Sequence, residues 1–261
     1  MPFVHTEVKK GVAQVELDRP PLNVLDLAAA AELASAVEDA SRREDVAVIL
    51  LTGKGRAFCA GVDVRDHLPD RGAEMLATFH RACVALLEAP QPVVAAVQGP
   101  AMGGGCELTL CCDLVVASTQ ATFGQPEIRL GVFPPLAATA LPRMIPFHAA
   151  AELLLTGRVI DAAEAARVGL ANRLAEPAEF ASAVGETVEA FLRLSPASLR
   201  LTREVLRLSR ARPTAAEIAE VERFYVERLM QTHDAIEGLR AFLEKREPQW
   251  GSGAASAGAD R

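Results

Sequence analysis

Hydrophobic positions in the first half of the chain switch between two periods. From 11 to 18, Ala13, Val15 and Leu17 share one face at period two, which predicts a half-buried strand ended by Arg19-Pro20-Pro21. Residues 25–40 are rich in Ala, Leu and Glu and read as a helix with Asp26 as its N-cap. The continuous apolar run 46–52 predicts a strand buried on both faces, and Gly53 and Gly55 close it. The rhythm then repeats. A helix is expected over 75–89, a buried strand over 92–97 stopped by Gly99-Pro100, a short helix over 104–112, and strands over 114–117 and 121–123. Strands alternating with helices predict an α/β layer architecture.

Beyond Leu136 helical periodicity dominates. Helices are expected over about 147–155, 161–168, 178–194, 196–210, 215–231 and 234–245, with one brief strand over 172–174. The small, polar stretch from Gly251 onward predicts a disordered tail, 251–261.

Composition narrows the class. Half of the 261 residues are apolar and 23% are charged, so a sizeable core is available and a disordered chain is excluded. No apolar run is long enough to cross a bilayer, and the first residues lack a signal-peptide core, so a cytoplasmic protein without a membrane partner is expected. A net charge of −7 disfavours nucleic acid as a partner. The five cysteines include adjacent Cys111-Cys112 and no CxxC pair, and no HExxH occurs. Buried reduced thiols are expected, with no disulfide framework and no metal site.

Three stretches carry candidate chemistry: Ala57-Phe58-Cys59-Ala60-Gly61-Val62-Asp63, then 99–108 with Gly103-Gly104-Gly105-Cys106-Glu107, then Phe123-Gly124-Gln125-Pro126-Glu127-Ile128. A glycine triplet between a strand and a helix lets backbone approach a ligand, and the free N–H groups of a helix start favour negative charge. Such a place suits a phosphate or an oxyanion. Glu107 lies just inside the helix and Glu127 follows a proline on a turn. If the intervening chain folds back, the two carboxyls converge and divide acid and base roles. Taken alone, the triplet more often marks just a tight turn, and a Glu in the first helical turn a solvated partner of the helix dipole. The sequence holds no GxxxxGK[ST] loop, GxSxG elbow or GxGxxG fingerprint.

Taken in order, these stretches resemble the crotonase (enoyl-CoA hydratase/isomerase) family. Asn23-Val24-Leu25, 48–53, Leu155-Thr156-Gly157-Arg158, 165–172 and 238–245 agree with it, so the resemblance runs to about Trp250. It implies an α/β crotonase-like fold: a core of repeated ββα units over 1–195 that holds the coenzyme A and catalytic site, and a C-terminal helical region, 196–250, that makes a homotrimer or a dimer of trimers. It implies an oxyanion hole formed by the backbone N–H groups of Val62 and Gly104, with Glu107 activating water and Glu127 delivering the α-proton. The substrate would be an acyl-CoA thioester, held by Ala60, Val62, Asp63, Val64, Arg65, Gly103, Gly104, Pro134, Pro135 and a neighbour's Lys245. Lys54 and Arg56 are further candidates for its phosphates. No separate cofactor is implied, because coenzyme A belongs to the substrate.

One segment departs from the family. Pro135 stands where a Gly is usual, and proline has no N–H to offer a carboxylate. The expected consequence is a raised pKa at Glu127. The Val132-Phe133-Pro134-Pro135 stretch resembles the family branch that hydrates alicyclic dienoyl-CoA esters, against neutral drift within a straight-chain hydratase. The leading expectation is a 2-enoyl-CoA hydratase, a lyase. The alternatives are a double-bond isomerase or another crotonase-type reaction, and a non-catalytic acyl-CoA-binding or RNA-associated homologue. His67, among the histidines, is expected at the surface, and Tyr225 in packing or a subunit contact.

Overall fold

The structure is a computed structural model and describes residues 2–208 and 213–250. Along the chain, β1 (Val4–Lys9) and β2 (Val12–Leu17) precede α1 (Leu27–Arg42) and β3 (Val48–Gly53). Next come α2 (Gly72–Glu88), β4 (Val93–Val97), β5 (Ala101–Met102), α3 (Gly104–Leu110), β6 (Leu114–Ser118) and β7 (Thr122–Gly124). Then α4 (Pro135–Met144), α5 (Phe147–Thr156), β8 (Val159–Asp161), α6 (Ala162–Val168) and β9 (Arg173–Ala175) follow. Helices α7 (Phe180–Leu192), α8 (Pro196–Leu208), α9 (Ala215–Glu227) and α10 (His233–Glu244) come last. The expected tail, 251–261, and the last two residues of the helix expected over 196–210 lie outside the described residues.

The larger sheet runs β1-β2-β3-β4-β6-β9, parallel except for the antiparallel β1–β2 pair. Its central strands are buried on both faces, as their unbroken apolar runs require. Ile49, Leu51, Val93, Ala95 and Val97 face the main core with α1 and α2. Val48, Leu50, Val94 and Ala96 face the opposite side, where Val184 and Val188 of α7 cover them.

The repeat that positions the site lies just beyond each central strand. After β3, β4 and β6 the chain makes a second extended segment (Cys59, β5 and β7) before it turns. Cys59 bridges Ala101, β5 pairs parallel with β7, and β8 closes this small second sheet. Three successive units therefore end side by side, and Val62, Gly104 and Glu127 occupy the three exits.

Asp26 caps α1 as expected, accepting from the Ala29 N–H at 2.9 Å. All five cysteines are buried thiols. Two expectations need correction. Residues 135–144 form a helix, α4, where the proline pair read as loop: Pro135 sits at its first turn, where its fixed φ fits and a missing N–H costs nothing. The helix expected over 215–231 stops at Glu227, and Arg228 leads into a 3-10 turn over Leu229–Gln231. Among the described residues no helix is long and apolar enough to cross a membrane.

The C-terminal helices reach back to the core. Tyr225 of α9, together with Ala235 and Leu239 of α10, packs against Met75 and Leu76 of α2 and against Val132. Arg203 of α8 is buried against the carbonyls of Leu86 and Leu87, with its Nε 2.6 Å from Asp113.

Candidate active site

The glycine triplet is explained one residue at a time. Gly103 has φ +52° and ψ −125°, a conformation that L side chains avoid, and a Cβ there would lie 2.5 Å from Oε1 of Glu127. At Gly104 a Cβ would meet Cγ2 of Val62 at 2.8 Å and Cζ of Phe79 at 3.1 Å, and at Gly105 it would strike the Cys59 carbonyl oxygen at 2.1 Å. The triplet thus brings three groups against one helix start: the Glu127 carboxyl, the Val62 side chain and the previous unit's strand end.

Neighbouring donors are left open by the same geometry. The bridge between Leu25 and Val62 uses the Gly61 carbonyl and the Asp63 N–H, at 2.9 and 2.8 Å. Gly103 donates to Gly124, and Glu107 donates back to Gly103. Among the described residues no acceptor takes the N–H of Val62 or of Gly104.

These groups line a cavity of about 400 Å³. Of the residues expected at the site, Ala60, Val62, Val64, Gly103, Gly104, Glu107, Glu127, Pro134 and Pro135 border it. Asp63, Arg65 and Lys245 do not. Asp63 and Arg65 pair with each other on the outside, Nε to Oδ1 at 3.0 Å, and Asp63 caps the short turn over Val64–His67. Lys54 is held by Asp18 at 2.6 Å, and Lys245 follows the end of α10 with φ +56°. The rest of the wall is mostly apolar and aromatic, with Met75, Leu76, Phe79, Phe133, Tyr225 and Phe242, and it also carries His67, His80 and Arg129.

The two glutamates differ in their surroundings. Glu107 is 4% exposed, and its Oε1 accepts the Ala137 N–H, in the first turn of α4, at 2.8 Å. Burial pushes its pKa up, while His80 and the backbone N–H groups of Ala137 and Leu136 draw it back. For Glu127, burial and then the charge of Glu107 push the pKa well above the ordinary carboxylate range. Its Oε2 is buried without a partner among the described residues. Helix α4 therefore gives its free N–H groups to Glu107 and none to Glu127. Both carboxyls of the cavity are shifted upward, Glu127 the further of the two, so Glu127 holds its proton to higher pH than Glu107.

Three wall residues were misjudged or passed over in the sequence. His67 is half-buried in the cavity rather than at the surface, its Nδ1 3.0 Å from the Asp63 carbonyl, and burial lowers its pKa. Tyr225 is 1% exposed and its hydroxyl has no partner among the described residues. Its ring meets Phe133 edge-on at 5.5 Å, and burial with the nearby glutamates keeps the phenol protonated. His80 also borders the cavity. Helical spacing put His80 and Tyr225 in helices and left His67 in none, and gave no sign of a shared pocket; being the chain's only tyrosine was the sole signal at Tyr225.

A helix start with open N–H groups, facing paired carboxyls in an apolar cavity at the exits of repeated ββα units, defines the crotonase architecture. Residues 7–253 match the family described as enoyl-CoA hydratase/isomerase, and the chain belongs to it. It is 39% identical over 237 residues to the cyclohexa-1,5-dienecarbonyl-CoA hydratase of Thauera aromatica, covering 91% of this chain and 92% of that one. It is 31% identical over 262 residues to the carnitinyl-CoA dehydratase of Proteus mirabilis, covering 95% and 97%. Among solved structures, the enoyl-CoA hydratase/isomerase of Pseudoalteromonas atlantica superposes with a TM-score of 0.86 at 29% identity, over 95% of this chain and 100% of that one.

Proposed function

We propose that this protein is an enoyl-CoA hydratase, a hydro-lyase that adds water reversibly to a 2-enoyl-CoA thioester in the cytosol. The observation that carries the reading is the convergence of Glu107 and Glu127, whose surroundings raise the Glu127 pKa more than that of Glu107, on one cavity that also holds two open backbone N–H groups. The thioester carbonyl sits between the Val62 and Gly104 N–H groups. As water adds to the β-carbon, charge moves onto that oxygen, and preorganised donors of this kind contribute about 3–4 kcal/mol each to the transition state. Ionised Glu107 takes the proton from water, and neutral Glu127 delivers its proton to the α-carbon. Dehydration runs the same steps in reverse. Coenzyme A arrives as part of the substrate, so the chemistry asks for no separate cofactor. Its phosphates lie on the Asp63–Arg65 side of the cavity, with Lys54, Arg56 and a neighbour's Lys245 in reach.

An isomerase moves a proton with one carboxyl, whereas a second, neutral carboxyl in the same pocket favours hydration. A silent acyl-CoA-binding role is disfavoured because a merely structural Glu127 would not be kept buried and unpartnered. The acyl group is a ring: three aromatic side chains, Phe79, Phe133 and Tyr225, border the cavity with Pro134 and Pro135. The 39% identical relative named for a cyclohexadiene ester supports this choice.

The assembly is a homotrimer or a dimer of trimers. Helix α8 exposes Leu201, Val205 and Leu208 at spacing i, i+4, i+7, an apolar stripe that a second copy would cover. Sedimentation of the wild type and of Val205→Asp tests this: a trimer that dissociates in the variant supports it, a monomeric wild type refutes it.

The functional test is loss of enoyl-thioester absorbance with crotonyl-CoA and with a cyclohexadienoyl-CoA. Turnover of the ring ester alone supports the ring pocket. Efficient hydration of crotonyl-CoA makes the proline segment neutral drift. Reaction with neither refutes the hydratase reading.

A further inference from the structure

Two polar side chains stand in the apolar part of the catalytic cavity with hydrogen-bonding capacity that no described residue meets. Tyr225 of α9 and His67, in the turn over Val64–His67, both border it. They come from elements other than those that carry Glu107 and Glu127. Both belong to one wall: Tyr225 packs in a cluster with Met75 and Leu76, and Val64 and Leu68, which flank His67 in the chain, pack against that cluster. Tyr225 is 1% exposed, yet its hydroxyl has no partner among the described residues. Phe133 meets its ring edge-on at 5.5 Å and fixes where the hydroxyl lies. Burial keeps the phenol protonated, so it can both donate and accept. At His67, Nδ1 lies 3.0 Å from the Asp63 carbonyl oxygen, which can only accept, so Nδ1 carries the proton. Burial lowers the pKa of this ring, which leaves it neutral with a lone pair on Nε2.

A wall that served a hydrocarbon alone would do better with phenylalanine at this place, which fills the same space without a buried, unpaired hydroxyl. A polar group left open in a binding cavity is satisfied by what the cavity takes, and such groups discriminate between ligands more sharply than apolar contacts do. An O–H that can donate, beside a lone pair that can only accept, complements a hydroxyl. The hydroxyl that water supplies to the β-carbon is served by the two glutamates, so a different one is required. We propose that the ring acyl group carries a hydroxyl of its own, away from the reacting double bond, and that Tyr225 and His67 hold it. Tyr225 donates to its oxygen, and Nε2 of His67 accepts its hydrogen. This rests on the reading above that the cavity takes a ring acyl-CoA ester for hydration. Neither residue takes part in the proton transfers; together they set which ester is used.

The test compares cyclohexadienoyl-CoA with its ring-hydroxylated analogues, the hydroxyl away from the reacting double bond, on the full-length wild type, Tyr225→Phe and His67→Leu. In the wild type, kcat/KM for the best hydroxylated ester should exceed that for the plain ester by at least roughly tenfold. The preference should vanish in Tyr225→Phe and shrink in His67→Leu, through KM more than kcat. A wild type that takes every hydroxylated ester no better than the plain one overturns the assignment, as does a preference that survives either substitution in full. An equal loss on both esters in Tyr225→Phe also overturns it, because the phenol then serves the reacting oxygen or packing alone. Calorimetric binding of the matching saturated esters makes the same comparison without turnover. Preference in binding with no hydration of either ester would fail the hydratase reading alone, and hydration with no preference would fail this one alone.

Discussion

Gly103 carries two burdens that a single methyl group separates. In Gly103→Ala the backbone keeps φ +52° and ψ −125°, a region where an L residue costs about 1–3 kcal/mol. The new Cβ also lies 2.5 Å from Oε1 of Glu127, closer than carbon and oxygen approach, so the carboxyl must turn away. Gly55→Ala isolates the first burden: φ is +81°, but nothing lies within 4 Å of its Cβ. The expected cost at Gly55 is about 1 kcal/mol with full activity. At Gly103 it is about 2–3 kcal/mol with a kcat lower by at least about 100-fold, the scale of a misplaced acid. Urea unfolding gives the stabilities and the enoyl-thioester assay gives kcat. A Gly103→Ala enzyme with wild-type kcat would show that the Glu127 position against this glycine is irrelevant to the chemistry.

Other outcomes are expected at the same site. Wild-type kcat/KM should be bell-shaped, rising as Glu107 ionises and falling as Glu127 loses its proton, both above the ordinary carboxylate value; a profile flat through neutral pH and above contradicts the division of roles. Because the folded-state pKa of Glu127 is raised, its stabilising contribution is complete below the unfolded value of about 4.3 and is lost as pH rises through the folded one. Glu127→Gln should therefore gain stability over wild type as pH rises, by at least about 1 kcal/mol at pH 8; equal stability across pH 4–8, measured by urea midpoints, refutes this. Tyr225→Phe removes a buried hydroxyl without a partner among the described residues and should raise stability by about 1 kcal/mol, read by the same midpoints, where a loss would reveal a partner. Arg203→Met strips a buried cation from Asp113 and from α2 carbonyls and should cost about 3 kcal/mol; an unchanged midpoint would deny that α8 is anchored there.

Much of the fold was legible because its signals are local. Continuous apolar runs gave β3 and β4, and alternation gave β2. Their two-sided and one-sided burial is the direct result of those patterns. The short pieces were harder. Strand β5 has two residues, held by pairing with β7 and by the Cys59–Ala101 bridge, so no period exists to detect. Helix α4 hid behind Pro134-Pro135, which signals a loop unless the second proline is seen at the first turn of a helix. The site divided in the same way. Glu107 and Glu127 stood out beside glycines and a resemblance, and the cavity brings them together. Its far wall was not legible, because Tyr225 and Phe242 reach it from helices more than a hundred residues downstream of Val62. The effect of Pro135 became locatable only in three dimensions: the first turn of α4 serves Glu107, and Glu127 is left to burial.

The most direct test of the central claim is the fate of solvent oxygen. The wild type and Glu107→Gln would be incubated with the enoyl-CoA ester in oxygen-18 water, and the product analysed by mass spectrometry. The account predicts one labelled hydroxyl per product from the wild type and a rate at least about 1,000-fold lower from the variant. A product of unchanged mass with a moved double bond, or undiminished labelling by Glu107→Gln, would contradict it.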